Sequence, residues 1–346
     1  MTNDAARDLL AALPHDPLVF PLQLDLIKDQ AAIVRLSPEI LASHSFLDQR
    51  VLPASPVAAF CPWADIARAA ALAPPKAPAY IFHIGHCGST LVSRLVSEAT
   101  DTAGLREPLI LRTFAIDLME GDGGFLGPGE LRARLSVAER LWARGTRSVV
   151  IKATSMCNDL ALLVAAKSGK AFLYQVPEIH LALTLAGPAA EADLRGFAQM
   201  RRRRLGARGI AVEPLANMSA GALAAMTWLC ECVSARSAMQ SATISAFDFD
   251  AVLRQPAEAL QSICAALGLN ASRARCAAAI AGPTMRAYSK AQEHPFDAAA
   301  RGAIIAQAKS DRAGEIRRGM DWLQGIARSN PEAAATLAAF GGTPSS

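Results

Sequence analysis

The chain has 346 residues, 52% hydrophobic and 19% charged, a composition that supports a large buried core and excludes a mostly disordered protein. Thirty-five Lys and Arg against 31 Asp and Glu give a net charge of +4, too even a balance for a nucleic-acid-binding surface spread over the whole molecule. Any electropositive function is therefore local, and no nucleic-acid partner is expected.

The first ten residues, MTNDAARDLL, are acidic where a secretory leader is basic, and no long apolar core follows them. Seven cysteines, at 61, 87, 157, 230, 232, 264 and 276, form neither a paired framework nor a metal-ligand spacing. Cys230 and Cys232 stand two apart in a helical stretch, so their side chains point in different directions. Reduced thiols, a cytoplasmic location and no bound metal are the expectations. Residues 214–230 carry no charge, yet they include Pro, Asn, Ser, Gly and Thr and fall short of the ~20 strongly apolar residues of a membrane span. They predict a buried helix and no membrane partner.

Residues 1–78 are rich in proline and contain no long periodic element. A strand is predicted over 32–36, a short helix opened by Ser37 and Pro38, and a helix over 64–72. Residues 73–78, APPKAP, read as a linker. This N-terminal extension is expected to pack on, or cover, a core domain occupying residues 79–346, and no residue in it carries chemistry on its own.

Residues 80–96 read YIFHIGHCGSTLVSRLV. An apolar run over 80–84 meets a tight turn of Gly85, His86, Cys87, Gly88, Ser89 and Thr90, after which Leu91, Val92, Leu95, Val96 and Ala99 recur at helical spacing. This is strand, loop, helix. Glycines permit positive φ, and a helix start offers unpaired N–H donors at the positive end of its dipole, so an anion belongs there. Ser89 follows Gly88 where a nucleoside-triphosphate loop has Lys, which argues against metal-assisted kinase chemistry.

Further along, strands are predicted over 103–105, 148–151, 171–176 and 242–247. Between and after them, helices are predicted over 109–119, 130–144, 158–167, 177–185, 190–206, around 223–233, and over 256–267, 272–280 and 296–327. Short apolar strands alternating with helices imply an α/β fold: a three-layer parallel sheet of P-loop type, with helices on both faces. Ligands of such sheets bind beyond the carboxyl ends of the strands, which here carry the loop, Arg106 and Glu107, Lys152, and Gln175.

Several stretches occur in a familiar order: HIGHCGSTLVSRL, LREP, VVIKATS, FLYQVPEIHLALTL and DFDAVLRQPAEALQSICAALGLN. Across roughly residues 80–270 this order resembles the sulfotransferase superfamily, of which the chain looks like a divergent, P-loop member. The resemblance implies transfer of a sulfuryl group from 3′-phosphoadenosine-5′-phosphosulfate (PAPS) to a hydroxyl or amine of a small-molecule acceptor, without a metal. It also implies that the amides of His86 to Thr90 and the hydroxyls of Ser89 and Thr90 hold the 5′-phosphosulfate. His86 stands where the family has Lys or Arg, and Cys87 where it has Ser, so Lys152 or Arg106 is the candidate replacement cation. Glu107 is the candidate general base; the plainer account is that it favours the start of the following helix through the dipole.

At the family's 3′-phosphate positions this chain has Gln175 and Leu183 instead of Arg and Ser, leaving Arg195, the run Arg201, Arg202, Arg203 and Arg204, and Lys290 as substitutes. The arginine run otherwise reads as solvated surface. His83 is expected to pack or hydrogen-bond within the fold. Cys87, at a helix start, is the one cysteine placed to be a reactive thiolate. Two rival functions remain: a non-catalytic nucleotide-binding or scaffold protein on the same fold, and a P-loop kinase, which ranks last because Ser89 and Lys152 occupy the positions it needs for Lys and Asp.

Overall fold

Two sheets organise the chain. The computed structural model describes residues 3–54, 58–187, 190–241, 243–287 and 297–342. In the N-terminal section β1 (Val19–Asp25), β2 (Gln30–Arg35) and β3 (Ala58–Pro62) form an antiparallel sheet in the order β1-β2-β3. Only β2 was anticipated from the sequence. The periodicity of β1 is masked by Pro21, and the register slips between Pro21 and Gln23; β3 is a short edge strand. Ser37 caps the helix Pro38–Ser43 as expected, its hydroxyl accepting from the Ile40 N–H.

The second sheet has five parallel strands: β4 (Ala79–His83), β5 (Ala103–Arg106), β6 (Val149–Lys152), β7 (Lys170–Tyr174) and β8 (Ser245–Asp248), in the order β5-β6-β4-β7-β8. Every residue of β4 and β6 is buried, the pattern of strands covered on both faces. Because β5 and β6 lie to one side of β4 and β7 and β8 to the other, the chain changes direction at β4. The carboxyl end of β4 is the switch point where such sheets take ligands, and the loop 85–90 sits there.

Helices account for most of the rest. The first residues of the uncharged stretch form a short 3₁₀ turn, Leu215–Asn217, with no buried side chain; from residue 220 the stretch is, as expected, part of a buried helix, Ala220–Ser241, with Trp228 fully enclosed. Gly221 and Gly319 let it approach the helix Ala313–Ser329 closely, since a Cβ on Gly221 would fall 1.8 Å from the Glu315 carbonyl oxygen. Among the described residues no helix is long and apolar enough to cross a membrane. The predicted 296–327 helix is two, Ala298–Asp311 and Ala313–Ser329, broken at Arg312 (φ −115°, ψ 16°). The stretch after β6 is a 3₁₀ run, Ser155–Leu162, in which Asn158 is turned back onto the tip of β4.

Candidate functional site

The loop leaves β4 through Ile84 and bends by three left-handed residues, Gly85 (φ 81°), His86 (φ 53°) and Gly88 (φ 66°). The glycines take this conformation freely, whereas His86 bears a cost of about 1–2 kcal/mol. The helix Ser89–Thr100 then begins with Gly88 at its N-cap and no side-chain capping bond. Its first N–H groups are thus left for a ligand or solvent. Thr90 Oγ1 is buried and has no hydrogen-bond partner among the described residues.

His83 pins this loop. Its Nδ1 accepts the Gly85 N–H at 2.9 Å, while Nε2 donates to the Ala153 carbonyl at 2.8 Å, so the neutral Nε2–H tautomer ties the loop to the end of β6. Asn158 clamps the His83 main chain from both sides, accepting its N–H and donating to its carbonyl. Asn158 also donates to Glu231, which is held by Arg204. The expectation that His83 serves the fold is met, through a specific contact with the loop.

At the neighbouring strand ends, Lys152 and Glu107 form an ion pair in which Lys152 is 1% exposed and Glu107 16%. Glu107 adopts φ 51°, a left-handed backbone that a non-glycine residue reaches at a cost of about 1–2 kcal/mol, while its N–H extends the ladder to the Lys152 carbonyl at 2.7 Å. That strain puts the carboxylate on Lys152 instead of on the helix behind Pro108. The positive charge of Lys152 also acts on Cys87 of the loop. Phe46, from the N-terminal section, covers the pair, with Lys152 Nζ 5.6 Å from its ring centre.

The other flank is built from β7, β8 and the C-terminal helices. Gln175 is fully buried; it donates to the His86 carbonyl at 3.4 Å and accepts from Arg301 at 3.1 Å. Arg301 is paired with Asp250 at 2.6 Å and lies over the ring of Phe249. That ring rests on the loop: a Cβ at Gly88 would lie 1.9 Å from it. His180 is enclosed, its ring 6.3 Å from that of His86. The Gly85 main chain lies beside His180, yet the His180 Nδ1 has no hydrogen bond of normal geometry among the described residues. Burial, with His86 and Arg201 nearby, draws its pKa down to about 3, so the ring is neutral at pH 7.

Lys152 and Glu107 are thus together beside the loop, and Arg106 is not with them. Its guanidinium donates to the carbonyls of Leu41 and His44 at 2.9 and 2.8 Å, satisfying the end of the helix Pro38–Ser43, and burial draws its pKa down to about 10. Cys87 faces the core, where burial pushes its pKa up to about 12, so it is a thiol and lends the loop only its main chain. Ser89 and Thr90 are both buried at the helix start.

The arginine run is not simply solvated surface. Arg204 is enclosed, with Glu231 and Asp159 as partners; Arg203 pairs with Glu120, and Arg201 donates to the Leu194 carbonyl. Arg195 pairs with Glu191 on its own helix, and Lys290 lies outside the described residues. Asn158, His180, Phe249 and Arg301 are not legible as site residues from the sequence because each reaches the loop from an element distant in the chain; His180 and Phe249 lie within the motifs FLYQVPEIHLALTL and DFDAVLRQPAEALQSICAALGLN, but neither motif marks them as neighbours of the loop.

No family model matches the chain, and no curated protein does. Among solved structures it is similar to the sulfotransferase domain from the curacin biosynthetic pathway, with a TM-score of 0.37 and 12% identity over 68% of this chain and 98% of that one. A likeness of this degree carries no donor or acceptor over to this chain.

Glu107→Gln removes the carboxylate partner of a fully buried lysine and is expected to lower the unfolding free energy by about 3 kcal/mol. Adding Lys152→Met should recover at least about 1 kcal/mol relative to the sum of the single changes, read from a double-mutant cycle in urea; simple additivity would mean that the pair is not coupled. His180 supplies a separate test. Its folded pKa lies below its unfolded value, so its stabilising contribution is complete above pH 6.5 and is lost as pH falls towards 3. His180→Gln should flatten the pH dependence of the urea midpoint by about one proton across that window.

Proposed function

We propose that the chain transfers a sulfuryl group from PAPS to a hydroxyl or amine of a small-molecule acceptor. The observation that carries this reading is the anion cradle: a left-handed loop at the switch point of a parallel sheet, opening an uncapped helix beside a buried Thr90 hydroxyl that has no partner among the described residues. In this reading the amides of His86 to Thr90 and the hydroxyls of Ser89 and Thr90 hold the 5′-phosphosulfate. Gly85 is excluded as a donor because its N–H is spent on His83.

The acceptor oxygen or nitrogen bonds to sulfur as the bond from sulfur to the 5′-phosphate oxygen breaks, releasing adenosine 3′,5′-bisphosphate. Glu107 takes the acceptor proton. The helix start and Lys152 offset the charge that collects on the departing phosphate, and positioning does much of the remaining work. Lys152 holds the Glu107 carboxylate in one orientation.

A non-catalytic protein on the same fold is the rival reading. It draws on Phe249 covering Gly88, and on Gln175 and Arg301 bonding to each other where the resembled family has a 3′-phosphate arginine.

Adenosine 3′,5′-bisphosphate should raise the thermal midpoint of the native protein progressively once its concentration exceeds Kd. Ser89→Ala combined with Thr90→Val should abolish that rise. No shift at millimolar ligand would remove the donor assignment. With donor carrying labelled sulfate and pooled hydroxyl and amine acceptors, Glu107→Gln should cut turnover by about 10²–10⁴-fold. An undiminished rate would remove Glu107 as the base, and no transfer by the native protein would favour the rival.

A further inference from the structure

The opposite edge of the parallel sheet has a cleft of its own. The amino ends of β4, β6 and β7, with the turn at 267–269, enclose about 400 Å³, within the range of small-molecule sites. Gly169 lets that turn close in, since a Cβ there would fall 2.3 Å from the Leu267 main chain. A strand of five residues separates this cleft from the loop by about 15 Å.

The charged residues of the lining are Lys76, Arg147 and Lys167, with no carboxylate among them. Each cation is held by main-chain acceptors. Lys76 Nζ donates to the Gly145 carbonyl at 2.7 Å, Lys167 Nζ to that of Pro75 at 3.2 Å, and Arg147 to those of Asp101 and Thr102 at 2.8 and 3.0 Å. Among the described residues neither lysine has a carboxylate within ion-pair distance, while Arg147 is paired with the exposed Asp101. Glu139, whose charge acts on Lys167 and Lys170, is buried and spends one oxygen on the Tyr80 hydroxyl and the Ala165 N–H. Ser168, also in the lining, is 7% exposed, and its hydroxyl has no hydrogen-bond partner among the described residues. A polar cleft that gathers three cations and a spare hydroxyl is matched to a multiply charged anion.

We propose that this cleft binds a small polyanion, with two or more negative charges on a body no larger than a mononucleotide, through Lys76, Lys167, Arg147 and Ser168. The proposal is independent of the sulfuryl-transfer reading, because the cleft and the loop lie at opposite ends of the strands.

Inorganic pyrophosphate, titrated calorimetrically into the full chain at constant ionic strength, is the probe. Saturable binding to one site is expected. Lys76→Gln with Lys167→Gln, which keeps a donor for each carbonyl but removes both charges, should weaken it at least tenfold. Lys76→Arg with Lys167→Arg should stay within threefold of the native protein. Ser89→Ala with Thr90→Val, at the distant loop, should change it less than twofold. No saturable binding, undiminished binding by the glutamine pair, or loss of binding in the loop pair would each overturn the proposal.

Discussion

Everything near the loop depends on one imidazole. His83 ends the central strand, accepts a hydrogen bond from the first loop amide and donates one to the Ala153 carbonyl just past the adjacent strand. It can do both only as one neutral tautomer, so protonation would break the bond to Gly85. Asn158 fixes the His83 main chain, and Glu231 and Arg204 fix Asn158, so helices from the second half of the chain hold a turn in the first. Buried ions in such a network are costly to desolvate and are tolerated because each has its partners.

A similar economy governs the flank at β5 and β6. Glu107 holds a strained backbone next to a proline, and the gain is a carboxylate facing a fully buried lysine. The N-terminal section closes over this pair: Leu47 is hydrogen-bonded between Arg106 and Leu109, and Phe46 lies against Lys152. Arg106, one residue from Glu107 in sequence, serves a different purpose: it is the last residue of β5, whereas Glu107 lies just past the strand with φ 51°, and the two side chains find different partners. Its guanidinium secures the N-terminal section instead of lining the loop.

The flank at β7 and β8 follows another logic. Phe249 sits on Gly88, where only a glycine fits, and Arg301 stacks on that ring while bonding to Gln175 and Asp250. The left-handed loop is therefore supported by packing on one side and by hydrogen bonds on the other. Over-determination of this kind keeps a strained turn in a single conformation.

Local patterns in the sequence were sufficient for the parallel sheet, the loop between strand and helix, the buried uncharged helix, and the positions of Glu107 and Lys152 at adjacent strand ends. Each is written in residues close together in the chain: apolar runs, glycines at a turn, a change of period. The antiparallel strands β1 and β3 escaped because a proline and an edge position blur their alternation. Which cation stands beside the loop, what covers Gly88, and how His180 and Arg301 reach it were decided only by tertiary structure. Those contacts join residues far apart in the chain, such as Lys152 with Glu107, 45 positions apart, and Arg301 with Gln175, 126 apart, and no local period records which distant side chain will satisfy a buried charge.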